Sequence, residues 1–147
     1  MRFQTVALLS ILFAAAGRVS SQAVPPAASE GLDLLVKGRA DSAVQLWSRG
    51  WTGPEDVGKR QQVLDAFRQL PQMAGRPLGY DLIRMVDVTP HLRRAYFLLR
   101  CQRQPVYLLL VLYQAQDEWT VTTINFHTDA DHVLPTNLFG LEHPARP

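Results

Sequence analysis

The apolar positions fall into two regimes along the chain. Leu32, Leu35 and Val36 share one helical face, with Ser29 placed to cap it and Gly38 to end it. Ala40, Ala43, Val44 and Trp47 repeat that spacing and predict a second amphipathic helix closing near Gly50. Pro54 suits the first position of a third, Glu55 and Asp56 complement its positive start, and Val63, Leu64, Phe67 and Leu70 form its apolar face. Pro71 and the Gly75-Arg76-Pro77-Leu78-Gly79 stretch are expected to end it. Beyond Gly79 the period becomes that of strands: Tyr80 to Thr89, Leu92 to Arg103, Val106 to Gln116 and Trp119 to Thr128, with short connections. Helices followed by a run of strands predict an α+β domain, two or three helices packed on one face of a four-stranded antiparallel sheet.

The strands also predict faces. A two-residue turn at Asp117-Glu118 would pair Leu112 with Thr123 and Leu108 with His127, and a turn at Gln104-Pro105 would pair Leu99 with Leu110. The helix-facing side would then hold Ala95, Phe97, Leu99, Cys101, Leu108, Leu110, Leu112, Trp119 and Val121. Thr123, Asn125 and His127 would continue that face to its far end, where a pocket would open. The opposite face would carry Tyr96, Leu98, Tyr107, Leu109, Val111, Tyr113, Ile124 and Phe126. A solvated face alternates to polar residues and this one does not, so a homodimer is expected there, with the C-terminal tail as the other cover. A one-residue slip would exchange the two faces.

Before the helices, Arg2 and the apolar run Val6 to Ala16 lead through small residues to Ser21-Gln22-Ala23. That is the layout of a cleaved signal peptide over 1–23, too short in its apolar part to span a bilayer as a helix. A periplasmic or secreted location follows. Val24 to Ala28 is expected to be a Pro/Ala spacer, residues 29–135 the domain, and 136–147 an irregular tail. Removing Arg2 and Arg18 from the 15 basic residues leaves 13, equal to the 13 acidic ones. The sequence pI of about 9.0 therefore gives no reason to expect nucleic-acid binding. Cys101 is the sole cysteine, which excludes an intramolecular disulfide and leaves a small hydrophobe in a strand.

The features that carry chemistry are few. His127-Thr128-Asp129-Ala130-Asp131-His132 is rich in metal-ligand types, but lacks helical His spacing or a Cys partner, so no metal and no cofactor is expected. No nucleophile elbow and no phosphate-cradling loop occurs.

Leu35-Val36-Lys37-Gly38 between two helices, Pro105-Val106-Tyr107 to Glu118-Trp119-Thr120-Val121, Asn125-Phe126-His127-Thr128-Asp129 and Leu134-Pro135 together resemble the cystatin-like, NTF2-like superfamily, over most of 29–135. More narrowly they look like small exported bacterial proteins of that fold with no assigned activity. The resemblance implies a curved sheet wrapped on helices, a conical cavity and frequent dimers. It implies no activity, because that superfamily holds isomerases and dehydratases beside non-catalytic members. The expected role is a non-catalytic binding or interaction module. The alternative is a small-molecule binder or isomerase-like acid–base enzyme using the cone, with His127, Asn125 and Thr123 lining it.

Overall fold

The computed structural model describes residues 23–138. The predicted leader, apart from Ala23, and the end of the predicted tail, including Phe139 and Leu141, lie outside the described residues. Three helices, α1 (Pro26–Val36), α2 (Ala40–Trp47) and α3 (Asp56–Ala74), precede four strands, β1 (Pro77–Thr89), β2 (Leu92–Cys101), β3 (Val106–Gln114) and β4 (Trp119–His127). The strands form one antiparallel sheet in the order β1-β2-β3-β4, and the class is α+β as the pattern predicts.

Helix boundaries differ from expectation at three places, the simplest being α3, which starts at Asp56 and leaves Pro54 in the turn before it. The predicted spacer is largely helix: α1 starts at Pro26, Pro25 is buried, and Val24 packs against the core. Proline fits because the first helical residue needs no N–H partner, and the Pro25 carbonyl accepts from the Ala28 N–H at 2.9 Å. Ser29 is therefore inside the helix, its hydroxyl turned back to the Pro26 carbonyl, rather than its cap. At the other end α3 runs through Pro71 to Ala74 and stops at Gly75, whose φ of 84° favours glycine. The β2–β3 turn caps it: the Arg103 guanidinium donates to the Pro71 and Gln72 carbonyls, the Gln104 amide to Met73, and the Arg103 N–H to Ala74.

The core lies between the two layers. Leu32, Leu35, Ala43, Val44, Trp47, Phe67 and Leu70 come down from the helices onto Ala95, Phe97, Leu99, Leu108, Leu110, Leu112 and Val121. Phe67 joins the layers, tilted against Trp47 at 5.8 Å and stacked on Phe126 at 4.3 Å. The region where a cone would open is filled by these side chains.

Register decides what faces that core. β2 pairs with β3 through Leu99↔Val106, Phe97↔Leu108 and Ala95↔Leu110, an even displacement from the predicted pairs that leaves every face unchanged. β4 behaves differently. Leu112↔Val121 and Gln114↔Trp119 keep the predicted faces, but a bulge follows, and beyond it the pairs are Val111↔Thr123, Leu110↔Ile124, Leu109↔Asn125, Leu108↔Phe126 and Tyr107↔His127. The extra residue, Thr122, reverses the rest of the strand. Ile124 and Phe126 pack on the core and leave the predicted dimer face; Thr123, Asn125 and His127 are exposed on the outer face and line no cone.

Candidate functional site

Two of the three predicted pocket residues, His127 and Asn125, are brought together, at the turn that leaves β4. His127 Nδ1 accepts the Asp129 N–H at 2.9 Å, and its ring stacks on His132 at 4.1 Å. The Asp129 carboxylate caps the short 3-10 turn Ala130–His132 by accepting the Asp131 N–H, and lies 3.4 Å from His132 Nδ1. The Asn125 amide donates to the His132 carbonyl at 3.5 Å. Thr123 is set apart from this cluster, two residues back on β4 and opposite Val111. The cluster turns the chain back over the outer sheet face, where Val133 and Leu134 are buried with Tyr96, flanked by Ile83, Val86, Tyr107, Leu109 and Leu138. Within the described residues, no group of three or more His, Cys, Asp or Glu side chains is arranged to hold a metal ion.

The two acids of β1 also find places. Asp81 meets Arg100 at 3.0 Å on the outer face. Asp87 lies 2.7 Å from Arg93, whose guanidinium stands 4.4 Å over the Trp119 ring. Trp119 in turn forms one wall of a cleft of about 380 Å³ beside the β3–β4 turn. The opposite wall is the start of α1 and the end of α2, tied together where the Trp47 indole donates to the Ala27 carbonyl at 3.0 Å. Gly31 permits that closeness, since a Cβ there would overlap the Trp47 ring. Leu46, Trp47 and Val121 give the cleft apolar walls, and Glu30, Arg49, Asp117 and Glu118 supply its charges. A volume of that order suits a small ligand or an inserted side chain.

A second opening, about 420 Å³, lies between α2 and α3 over Leu35, Phe67 and Leu70. Its rim carries the two-pronged Arg68–Asp41 pair, with nitrogen–oxygen distances of 3.0 and 2.7 Å. The hydrogen bond from Arg68 holds the Asp41 carboxyl below its ordinary range. Burial raises the Tyr80 hydroxyl, and its hydrogen bond to Asp33 at 3.1 Å adds to the rise. Burial alone raises the Cys101 thiol, which disfavours the thiolate a nucleophile would need.

These groups can bind and orient. Ser48 is the one buried residue of the polar or charged kind among the described residues. Both clefts depend on the helix layer, whose packing was legible in the sequence. Their positions were not, since they arise where α1, α2 and the β3–β4 turn meet in space. No family model, curated protein or solved structure matches the chain.

Proposed function

We propose that the protein is an exported, non-catalytic binding or interaction module. The observation that carries this reading is the filled interior. An acid–base site in a cone of this kind would need titratable groups desolvated in the space between the layers. Here that space holds Trp47, Phe67, Phe97, Leu108 and Leu110, all buried. Among the openings outside the core, the cleft beside Trp119 is apolar at its walls and charged at its rim, as recognition surfaces are. The leader supports export: a short positive start, an apolar run and small residues at the expected cleavage point.

Two measurements test it. Amide and methyl shifts of the labelled protein, recorded against a panel of small aromatic and aliphatic fragments, are expected to move around Trp119, Leu46 and Thr120. Shifts centred on Phe97, Leu110 and Leu112 would mean that the interior opens to ligands, and the enzyme or small-molecule reading would replace this one. A fusion of the first 30 residues to a reporter active only outside the cytoplasm should be active. Its processed N-terminus should fall at Val24 within about three residues. An inactive fusion would remove the export half.

A further inference from the structure

We propose that Ala130–Leu138 is a pH-sensitive strap, held shut over the outer sheet face by His127 with its Nδ1 unprotonated and released when that nitrogen takes a proton. This goes beyond binding at the cleft and stands or falls separately from it.

The strap is anchored along its length and at its root, and the Asn125 amide adds a weaker tie to the His132 carbonyl at 3.5 Å. Along its length, Val133 and Leu134 are 7% and 6% exposed against Tyr96, Tyr107 and Leu109. At its root, the chain leaves β4 and turns within two residues, and the turn is fixed by the Asp129 N–H donating to His127 Nδ1 at 2.9 Å. The donor is a backbone amide and cannot become an acceptor. Only an imidazole with a free lone pair on Nδ1 completes the bond. Protonation there sets N–H against N–H, removes the bond and leaves a cation in the stack.

The titratable groups that face His127 come from the strap and from β3. From the strap, His132 stacks on it at 4.1 Å, so charging both rings places like charges in contact. Asp129 would attract an imidazolium, but its Oδ1 already accepts the Asp131 N–H and its Oδ2 faces His132 Nδ1 at 3.4 Å. Asp131 belongs to the same turn and is exposed. From β3, the residue opposite His127 is Tyr107. Protonation of His132 alone strengthens its pairing with Asp129 and leaves the root intact. His127 is therefore the group on which closure depends. The face uncovered on release is apolar and tyrosine-rich, the composition of an interaction surface.

The test is hydrogen exchange of the whole domain, corrected for the intrinsic pH dependence of amide exchange. The Val133 and Leu134 amides, both bonded to the Ala130 carbonyl at 3.0 and 2.7 Å, report closure. Their protection is expected to fall about tenfold from pH 7.5 to pH 5.5, the equivalent of one lost hydrogen bond, while Leu110 in the core strand is unchanged. His127→Asn places an amide oxygen near the same position and does not titrate, so its strap should stay protected at both pH values. His132→Gln should keep a pH step, reduced by the missing ring. Ring nitrogen shifts of wild-type His127 should titrate together with the loss of protection. Equal wild-type protection at the two pH values would overturn the proposal. So would a pH step that survives in His127→Asn, or one that follows the His132 ring instead.

Discussion

Trp51→Phe isolates the contact that fixes the bulge in β4. Trp51 is 6% exposed, and its indole N–H donates to the Val121 carbonyl at 2.8 Å. Lys59 stands 4.0 Å over the same ring and donates to the next carbonyl, Thr122, at 3.0 Å. Two consecutive carbonyls at the outer edge of β4 are thus taken by side chains from the helical layer, where no fifth strand among the described residues pairs with them. Phenylalanine keeps the packing of a ring and removes the donor. The orphaned buried acceptor costs about 1–3 kcal/mol, and the smaller ring with a weaker hold on Lys59 adds about 1 kcal/mol. The expected loss is about 2–4 kcal/mol, a large part of the roughly 5–15 kcal/mol that holds a domain together. Urea unfolding followed by far-UV circular dichroism measures it, since tryptophan fluorescence would change with the substitution itself. Lys59→Met, which keeps the stem, should cost about 1 kcal/mol, and the double variant should cost less than the two single losses combined. A Trp51→Phe protein within about 0.5 kcal/mol of wild type would show that the bulge needs no external donor, and would refute this account.

Four further outcomes are expected. Phe126→Ala, which removes the stack on Phe67, should cost about 2–3 kcal/mol and Asn125→Ala less than about 1; the reverse order in chemical denaturation would restore the register without a bulge. Gly31→Ala gains about 1 kcal/mol of helix propensity in isolation, but displacing the Trp47 indole should turn that into a net loss of about 2–4 kcal/mol, read from the melting temperature. Cys101 should react with a disulfide reagent at pH 7.5 more slowly than the same thiol in urea; because its pKa is raised on folding, its contribution to stability is full below the ordinary value of 9.0 and is lost as pH climbs through the raised one. A chain ending at Thr128 should dimerise or aggregate at tens of micromolar in light scattering, through the uncovered Tyr96 and Leu109; a monodisperse monomer would show that the strap hides nothing adhesive.

Much of this fold can be read from spacing alone, and its departures have physical causes. The helix faces and the strand order follow from apolar positions three or four apart and then two apart. The reversal in β4 also leaves a trace: Trp119 and Val121 are two apart, Ile124 and Phe126 are two apart, but Val121 and Ile124 are three apart. A strand can bury both pairs only with an extra residue between them, and the bulge falls there. Without it, Thr123, Asn125 and His127 would face the core in place of Ile124 and Phe126, exchanging apolar burial of about 1.5–3 kcal/mol per side chain for polar desolvation. The donors that receive the bulge, Trp51 and Lys59, lie 70 and 63 residues away from their acceptors, so no local pattern announces them. The start of α1 was hidden by composition, since Pro-Pro-Ala-Ala reads equally as an extended linker and as a proline-initiated helix.

The outer face follows the same logic of cover. An apolar sheet face must be buried by something, and eight residues pointed there on the predicted register. The bulge withdraws Ile124 and Phe126, and the strap takes Tyr96, Tyr107 and Leu109, using the histidine and asparagine that the unbulged register would have placed in a cavity. What remains is Leu98 and Val111, half-buried, and Tyr113, 45% exposed near the far end of β3. A homodimer formed with the strap closed would have to rest on those three, a smaller and less continuous patch than the sequence pattern implied. One formed with the strap open would recover Tyr96, Tyr107 and Leu109 as well. Any association through this face would therefore be coupled to the state of the turn at His127, because β4 carries one residue more than its partner.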